Sequence, residues 1–452
     1  MIRMLVTAPA SGGGKTSVCC ALLRALDARG LSPCAFKCGP DYIDPMFHRA
    51  ALGVESHNLD LFLCDAERLR VHFARCCAGH GAAIVEGAMG YYDGVGLSDT
   101  GSAWDLARTL EIPALLVLPA RGAALTLAAT VRGLRDFRAR HGIAAVLLNE
   151  CSPVLCERLS PVIEAETGIP VVGCLPRVAE AAVGSRHLGL ETAEEIGDLD
   201  ARLAKLRQAL EEHVDLDRLC AVFDDGAPRA AAAPPMKPTV RARIAVSRDE
   251  AFSFTYIETL ETLISCGAQL VYFSPLRDAA LPEGIGGLYL PGGYPELHAR
   301  ALAENESMRR DIAAAVRGGL PTVAECGGFL YLGESLADET GQVWPMAGVL
   351  PGRAAPAGHL VRFGYKTLCA ETDSLLFRRG ERVNAHEFHY WDSTENGTDL
   401  RAEKDGRSER CGFVSESLYA AFPHLYFAGR PELAQRFVDA ARRFGEMRNG
   451  TA

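Results

Sequence analysis

Residues 322–332 read TVAECGGFLYL, which places a cysteine at the end of an apolar strand with two glycines directly behind it. Gly327 and Gly328 permit backbone geometry that a larger side chain would forbid. A strand, a tight turn and a helix in this order form an elbow that presents a side chain where α/β sheets bind ligands. The N-terminus of the following helix also lowers the pKa of a thiol. We therefore predict an α/β fold here, with Cys326 as an exposed nucleophile.

The same alternation of apolar strands and helical patterns runs through the whole chain. Six apolar runs in the first 176 residues read RMLVTA, SPCAFK, AAIVEG, ALLVLPA, AAVLLNE and PVVGCLP. Four more, RIAVSR, QLVYFSP, GLYLPGG and PTVAEC, follow residue 242. Continuous apolarity is typical of strands buried on both faces, as in a parallel sheet covered by helices. We therefore predict an α/β protein with two doubly wound, mostly parallel sheets.

The two sets of strands are separated by DDGAPRAAAAPPMKPTVRA, residues 224–242, which contains four consecutive alanines and four prolines and has no core pattern. Such a composition is typical of a linker. A chain of 452 residues is also too long for one ordinary core. We expect a first domain at 1–223, a linker at 224–241 and a second domain at 242–445.

Composition narrows the class of protein. A formal net charge of −10 argues against a nucleic-acid partner, which usually requires a basic face. The 15 cysteines are odd in number and include two adjacent pairs, so we expect reduced thiols and a cytoplasmic enzyme. The longest apolar stretch, IPALLVLPA, is far shorter than the ~20 residues of a membrane span. We therefore expect no membrane partner.

A glycine-rich loop follows the first predicted strand and opens a helix, in VTAPASGGGKTSVCC at residues 6–20. Its glycines let backbone N–H groups close around phosphate oxygens, its lysine reaches the outer phosphates, and its threonine hydroxyl suits Mg²⁺. The strict phosphate-loop pattern would need glycine at Pro9, so this is a variant loop. The predicted ATP-binding residues of the loop are Gly12, Gly13, Gly14, Lys15, Thr16 and Ser17.

Two later stretches add polar side chains at strand ends, FKCGPDYIDPMFH (36–48) and IVEGAMGYYDG (84–94). The lysine of the first stretch is expected to reach phosphate. Glu86 ends an apolar strand, where a carboxylate facing Thr16 is a natural Mg²⁺ ligand. The aspartates also suit turns, and this alternative stays open. The candidate residues of the two stretches are Lys37, Asp41, Tyr42, Asp44, Glu86 and Asp93.

Two further polar positions follow later strands of the first half. Asn149, at the end of AAVLLNE, is a candidate to hydrogen-bond adenine, and capping of a turn is an equally good interpretation. The stretch SRHLGL at 185–190 contains His187. Its spacing alone predicts a packing or surface residue.

A thiol needs a base to become a thiolate near neutral pH. His424 in AAFPHLYF lies 98 residues after Cys326 and ends a loop before an apolar run. His386 and His389 in NAHEFHYW compete for the same role. We predict His424 as the base.

A second glycine turn, LYLPGGYPELH at 288–298, follows another predicted strand. Gly292 and Gly293 are candidates to present N–H groups to an oxyanion. A free cysteine is often simply part of a core. Two glycine turns that both follow strands favour a nucleophile over a core thiol at Cys326.

Taken together, the motifs resemble a known family of two-domain enzymes. The second half resembles a triad-type (class I) glutamine amidotransferase domain of the cobyric-acid-synthase type, through AECGG, PGGYPELH and PHLYF. The first half resembles the ATP domain of dethiobiotin synthetase and its amidating relatives. GPDYIDP, VEGAMGYYDG and RHLGL, in that order, are similar to the cobyrinic acid a,c-diamide synthases.

The resemblance implies a role for each matching residue. Cys326 would be the glutaminase nucleophile and His424 its base. Thr16 and Glu86 would hold Mg²⁺, with Asp41 as a third ligand. The residues that would border the corrinoid carboxylates and the phosphorylated intermediate are Asp41, Tyr42, Asp44, Glu86 and Asp93.

Two positions depart from the family patterns. Class I glutaminases have glutamate two residues after the histidine, where this chain has Tyr426. A Cys–His dyad is therefore the expectation, rather than a triad. Relatives often have glycine where the phosphate loop here has Ala8, which affects the details of the loop and not the expected ATP site.

The resemblance implies ATP- and glutamine-dependent amidation of the a and c carboxylates of cobyrinic acid in cobalamin biosynthesis. Glutamine would yield ammonia through a thioester, and Mg·ATP would convert each carboxylate into an acyl phosphate that ammonia attacks. The implied partners are glutamine, ATP and a corrinoid or related tetrapyrrole, and the resemblance leaves room for a homodimer.

Two alternatives to this function stay open. The same chemistry could act on another tetrapyrrole, namely hydrogenobyrinic acid, nickel-sirohydrochlorin or sirohaem. A partitioning-type ATPase with an inert glutaminase-like domain is the other alternative. It is disfavoured by Ala10, where those ATPases carry an extra lysine, and by the Cys326 and His424 motifs.

Overall fold

The computed structural model describes residues 1–178, 185–186, 189–190, 198–226 and 239–450. The chain forms two compact units, Met1–Pro234 and Pro235–Ala452. Their boundary falls within the predicted linker, whose residues 227–238 lie outside the described residues, as does His187. The domain bounds proposed from the sequence stay predictions.

The first unit is built on a sheet of seven parallel strands in the order β3-β2-β4-β1-β5-β6-β7. Its strands are β1 Ile2–Thr7, β2 Pro33–Cys38, β3 Ser56–Leu59, β4 Ala82–Glu86, β5 Ala114–Pro119, β6 Ile143–Asn149 and β7 Val171–Leu175, and a short antiparallel pair follows, β8 Ser185–Arg186 and β9 Gly189–Leu190. Its helices are α1 Lys15–Ala28, α2 Ile43–Leu52, α3 Ala66–Cys77, α4 Ala103–Leu110, α5 Thr126–Phe137, α6 Pro153–Thr167, α7 Leu199–His213 and α8 Leu216–Phe223.

The predicted strands owe their burial to helices on both faces of this sheet. Strands β1, β2, β4 and β5 are buried over almost every residue. Met4, Val6 and Ile84 of the sheet pack in one core with Val18 and Leu22 of α1. Since apolar runs are buried on both faces only in a covered parallel sheet, the α/β prediction is confirmed for this unit.

The second unit centres on a sheet in the order β11-β10-β12-β13-β23-β22, in which only the short β22 is antiparallel. Its strands are β10 Ala242–Ser247, β11 Ala268–Phe273, β12 Gly287–Leu290, β13 Thr322–Glu325, β22 Phe413–Val414 and β23 Leu418–Ala421. Its helices are α9 Ile257–Ser265, α10 Ala299–Glu304, α11 Glu306–Arg317, α12 Gly327–Leu332 and α13 Pro431–Gly450. The predicted parallel sheet is confirmed.

The second unit also contains two smaller sheets that the apolar runs do not predict. One has four strands in the order β15-β14-β16-β19, namely β14 Ser335–Ala337, β15 Val343–Pro345, β16 Arg353–Pro356 and β19 Trp391–Ser393. The other is antiparallel, in the order β21-β20-β17-β18-β24, namely β17 Arg362–Ala370, β18 Arg382–His389, β20 Leu400–Lys404, β21 Arg407–Cys411 and β24 His424–Leu425.

The two topologies bring particular loops together. In the first unit, β2, β4 and β1 are neighbours, so the loops after their carboxyl ends share one edge of the sheet. In the second unit, β13 and β23 pair as far as Glu325 and Ala421. Residues just beyond both strands, including Cys326 and His424, therefore meet at one edge. No helix in the described part of the chain combines the length and apolarity needed to cross a membrane.

Candidate functional site

The predicted phosphate loop leads directly into α1. Gly14 lies at the helix N-terminus with a left-handed backbone (φ 87°, ψ 18°). A Cβ at this position would lie 2.0 Å from Nδ2 of Asn149. Both the backbone conformation and the lack of space therefore require glycine. The loop exposes backbone N–H groups at a helix N-terminus, as anion binding requires.

Lys15 is buried, and its ammonium donates hydrogen bonds to two loop carbonyls. Its Nζ lies 3.1 Å from the carbonyl oxygen of Ala10 and 2.6 Å from that of Met89. Burial and the nearby Lys37 lower the pKa of Lys15. The lysine is thus held beside the loop by weak neutral acceptors, which an anionic phosphate can replace.

Glu86 is the centre of a buried polar cluster at the end of β4. Its Oε1 accepts hydrogen bonds from Thr16 Oγ1 at 2.6 Å and from Lys37 Nζ at 2.9 Å. Its Oε2 lies 3.6 Å from His48 Nε2. Burial opposes the charge, but Lys37 and His48 hold the pKa of Glu86 well below its ordinary value. Glu86 is therefore an ionised carboxylate although only 1% of it is exposed.

Lys37 is surrounded by carboxylates. It bonds to Asp44 as well as to Glu86, and Asp41 Oδ2 lies 3.8 Å from its Nζ. Burial opposes its charge, but these carboxylates raise the pKa of Lys37 well above its ordinary value. Burial and repulsion from Asp41 raise the pKa of Asp44. One ammonium faces three acidic side chains, so the cluster favours a further cation or a retained proton.

The structure gives the other predicted acidic residues local roles. Asp41 Oδ1 accepts hydrogen bonds from the backbone N–H groups of Ile43 at 2.8 Å and Asp44 at 3.3 Å, at the start of α2. Asp93 Oδ2 accepts from the N–H of Gly90 at 2.9 Å. Both are turn-forming interactions, the alternative left open by the sequence. Roles of these residues toward a ligand stay predictions.

The remaining predicted residues of this site also lie near the loop. Asn149 ends β6, and its Nδ2 donates to the carbonyl oxygen of Gly13 at 3.2 Å. Asn149 therefore supports the phosphate loop, and its contact with adenine stays a prediction. Ser17 on α1 and Tyr42 before α2 are both partly exposed.

The donor set at Glu86 suits Mg²⁺. Hydroxyl and carboxylate oxygens are the ligands that this hard cation prefers. Thr16 and Glu86 already touch, and Glu86 Oε2 is buried with no hydrogen-bond partner among the described residues. Asp41 is one third exposed and lies close to the same cluster. These residues fit the predicted ion.

In the second unit, Cys326 has the backbone of a strained elbow between β13 and α12. Its φ is 48° and its ψ is −105°, a conformation that costs on the order of 1–3 kcal/mol for a non-glycine residue. Its N–H donates to the carbonyl oxygen of Ala421 at 2.9 Å, and its carbonyl accepts from Leu330 N–H at 2.9 Å. The sequence predicts an exposed thiol, whereas Cys326 is only 8% exposed.

His424 lies beside Cys326. Burial opposes the charged ring, but its interactions with Cys326 and Glu325 raise the pKa of His424 to about 10. A Cβ added to Gly292 would lie 2.5 Å from His424 Cε1 and 3.5 Å from Cys326 Cβ. The second glycine turn therefore lies against both groups. The use of Gly292 and Gly293 as oxyanion donors stays a prediction.

Glu325 is a buried carboxylate that the sequence analysis missed. Its Oε2 lies 3.7 Å from His424 Nδ1 and accepts a hydrogen bond from Tyr289 Oη at 2.9 Å. Its Oε1 accepts from Leu425 N–H at 2.9 Å. Class I patterns direct attention to residues after the histidine, but here the carboxylate directly precedes the nucleophile.

The competing histidines hold other positions. His386 of β18 is the strand partner of His424, and burial together with the charge of His424 lowers the pKa of His386 to about 3. His389 Nε2 lies 2.7 Å from Glu387 Oε1, and its ring stacks on Phe422. The structure thus brings His424, rather than either rival, to the thiol.

His48 was also missed in the first unit. It lies on α2, is almost fully buried, and lies between Glu86, 3.6 Å from its Nε2, and Ser56 Oγ, 3.1 Å from its Nδ1. A histidine in a helix of mixed composition gives no sequence signal for this role. Only the strand order, which places β2 between β3 and β4, reveals it.

Two family models match the chain, one for each unit. Residues 4–189 match a model described as the CobQ/CobB/MinD/ParA nucleotide binding domain. Residues 243–432 match one described as the CobB/CobQ-like glutamine amidotransferase domain. The phosphate loop falls within the first match, and Cys326 and His424 fall within the second.

Several proteins named cobyrinate a,c-diamide synthase are similar to this chain over nearly its whole length. The protein from Picrophilus torridus is 37% identical over 439 residues, which cover 96% of this chain and 98% of the relative. That from Dehalococcoides mccartyi is 36% identical, covering 98% of both chains. That from Caldanaerobacter subterraneus is 37% identical, covering 96% of this chain and 97% of the relative.

The buried charge cluster predicts the effect of removing its cation. We expect Lys37→Met to lower the free energy of unfolding of the first unit by about 3–5 kcal/mol, because carboxylates stay buried without their partner. Adding Asp44→Asn should restore part of this loss. Denaturant unfolding of both variants measures the difference. A single variant as stable as the wild type would contradict the described pairing.

The raised pKa of His424 predicts a pH dependence of stability. The ordinary value is 6.5 and the folded value is about 10, so between them the folded state binds more protons than the unfolded state. Stability gained from the charged ring is complete below pH 6.5 and is lost as the pH rises toward 10. The difference in unfolding free energy between wild type and His424→Gln should therefore shrink over this range. A difference in unfolding free energy that stays constant or grows with pH would contradict the raised pKa of His424.

Proposed function

The chain belongs to the cobyrinate a,c-diamide synthase family of glutamine-hydrolysing ligases, and from that membership we propose that it amidates the a and c side-chain carboxylates of cobyrinic acid. The acceptor carboxylates would be activated by ATP in the first unit. The nitrogen would come from glutamine hydrolysed in the second. The contact of Cys326 with His424 at a strained strand end carries this proposal, since a packing role for the thiol would need neither.

The proposed glutaminase reaction begins at Cys326. The thiolate attacks the amide carbon of glutamine, and N–H groups near Gly292 and Gly293 receive the developing oxyanion. His424, charged when paired with the thiolate, gives its proton to the departing nitrogen, and ammonia leaves. Neutral His424 then takes a proton from water, which attacks the thioester and releases glutamate. Burial of the site limits competing attack by water on the first step.

In this mechanism Glu325 is a positioning residue. A carboxylate 3.7 Å from Nδ1 favours the imidazolium and would hold the ring so that the other nitrogen can serve Cys326. Hydrogen bonds from Tyr289 and Leu425 fix the carboxylate in turn. The triad would then be complete, with its acid drawn from the position before the nucleophile.

The proposed synthetase reaction uses the edge of the first sheet. The loop N–H groups and Lys15 would hold the phosphates of ATP at the N-terminus of α1. A substrate carboxylate oxygen attacks the γ-phosphorus, giving an acyl phosphate and ADP. Ammonia then attacks the acyl carbon, and phosphate leaves with the original carboxylate oxygen. The amide nitrogen loses a proton in this step.

Thr16, Glu86 and Asp41 would hold Mg²⁺, which supplies charge neutralisation for the phosphates when bound. Lys37 and Asp44 lie next to this donor set. Their paired charges can orient the substrate carboxylate, and they can accept the proton that the nitrogen loses after ammonia has attacked. Tyr42 and Asp93 would border the corrinoid.

Amidation of hydrogenobyrinic acid, nickel-sirohydrochlorin or sirohaem would require the same groups. The names of the similar proteins favour cobyrinic acid, and comparison of these acceptors in one assay separates them. A partitioning-type ATPase is disfavoured because it would not need a thiol in contact with a buried, charged histidine.

The two-site proposal is tested with Cys326→Ser. We expect glutamine-dependent amide formation to fall by roughly 10³-fold or more, since the thiol nucleophile is lost. Amidation supported by ammonium salt and ATP should stay near the wild-type rate, because the first unit is unchanged. Full glutamine-dependent activity would overturn the glutaminase assignment. Loss of the ammonia-dependent reaction in a folded variant would overturn the assignment of glutamine hydrolysis and amidation to separate units.

Replacement of Glu325 by glutamine separates positioning from packing. We expect kcat for glutamine hydrolysis to fall by roughly 10²- to 10⁴-fold with a smaller change in KM. The alkaline limb of the pH profile should move to lower pH, because His424 loses the carboxylate that raises its pKa. The matched variant Tyr289→Phe keeps the carboxylate and should cost less. An unchanged pH profile would show a packing role only.

A further inference from the structure

A cluster of metal-ligating side chains lies in the first unit away from the residues assigned above. It consists of His57, His72 and Cys76. His57 lies on β3, which forms one edge of the sheet, while His72 and Cys76 are four residues apart on α3. Residues with this spacing project from the same face of a helix. The strand and the helix therefore direct three donors to one point.

The distances between the donor atoms suit a small ion. One ligand atom from each residue lies within 4.8 Å of the others, and Cys76 Sγ is 3.7 Å from His72 Nδ1. Ideal tetrahedral zinc, with Zn–S of ~2.3 Å and Zn–N of ~2.0–2.1 Å, places sulfur and nitrogen ligands about 3.6 Å apart. The helical pair already has this separation, and a ligand atom of His57 lies within 4.8 Å of both.

The surroundings limit the movement of the donors. His57 is buried, with its ring centroid 6.0 Å from that of Phe36 and 5.2 Å from that of His72. These neighbouring rings limit the movement of the His57 ring, which preorganises the donors.

We propose that His57, His72 and Cys76 form a binding site for a thiophilic divalent cation, with Zn²⁺ as the preferred ion. One thiolate and two imidazoles are a ligand set that Zn²⁺ accepts, with water in the fourth position. Arg75 competes with the ion, because its Nη2 lies 3.3 Å from His72 Nδ1. This exposed guanidinium swings into solvent when the ion binds to that nitrogen.

The ion would tie the edge strand to its helix. Ser56 and Asn58 flank His57 on β3 and point to the opposite face. Ser56 contacts His48, and Asn58 Nδ2 donates to the carbonyl oxygen of Asp41 at 2.6 Å. The site therefore fixes a strand whose other face supports the Glu86 cluster. The role of the ion is to stabilise strand β3 in the first unit rather than to take part in the reaction.

The test uses full-length protein carrying Cys326→Ser, which removes the glutaminase thiol as a rival ligand. Metal-free protein is titrated with Co²⁺, and the near-ultraviolet thiolate-to-Co²⁺ charge-transfer band reports sulfur ligation. We expect one equivalent of Co²⁺ to produce the band and Zn²⁺ to displace it. Bound zinc is then counted by elemental analysis. Oxygen-ligated Co²⁺ in the predicted Mg²⁺ site gives no such band.

Matched variants distinguish this cluster from the other thiols. Cys76→Ser should abolish the band, and His72→Gln should weaken binding by more than about tenfold, whereas Cys77→Ser and His80→Gln should leave it unchanged. Arg75→Ala should strengthen binding severalfold, and an unchanged affinity would contradict ligation through His72 Nδ1. Absence of the band in the Cys326→Ser parent, or its persistence in folded Cys76→Ser protein, would overturn the proposal.

Discussion

The backbone of Cys326 is the constraint on which the site of the second unit depends. A residue at φ 48° and ψ −105° persists only where its surroundings hold it. Here the N–H is tied to β23 and the carbonyl to the first turn of α12. The elbow turns the thiol toward the residues beyond β23, where His424 lies. Side-chain bulk at Gly292 would occupy the position of the imidazole. The pairing of the strands and the two glycine turns therefore together place the thiol of Cys326 beside the ring of His424.

The site of the first unit depends instead on a cluster of buried charges. Lys37 lies within a buried group of acidic side chains, and Glu86 stays ionised beside it. Such an excess of negative charge is costly in a protein interior unless a cation or proton compensates it. A bound Mg²⁺ ion would supply that compensation next to the predicted phosphate loop. The negative charge of these carboxylates would thus be compensated when the ion is bound.

The sequence predicted those parts that depend on local pattern. Both parallel sheets follow from continuous apolar runs, and the glycine turns marked the elbow and the phosphate loop. Strand β3 was missed because three of the four residues of SHNL are polar, and its burial comes from α2 and α3. Glu325 was missed because its role depends on the pairing of β13 with β23 and not on its distance from His424 in sequence. The strand order places Lys37 between carboxylates, which no local pattern indicates, and its contact with phosphate stays a prediction. Long-range packing decides such roles, and no local pattern reports it.

The proposed function requires that ATP activate a corrinoid carboxylate, which then receives nitrogen from glutamine. The most direct test is the wild-type reaction on cobyrinic acid whose carboxylates carry a heavy isotope of oxygen, with glutamine labelled by heavy nitrogen in its amide. Mass spectrometry should find a diamide that contains both heavy nitrogens, and each amide formed should transfer one heavy oxygen to inorganic phosphate. Unlabelled phosphate, or a corrinoid whose mass does not change with glutamine and ATP present, would contradict the account.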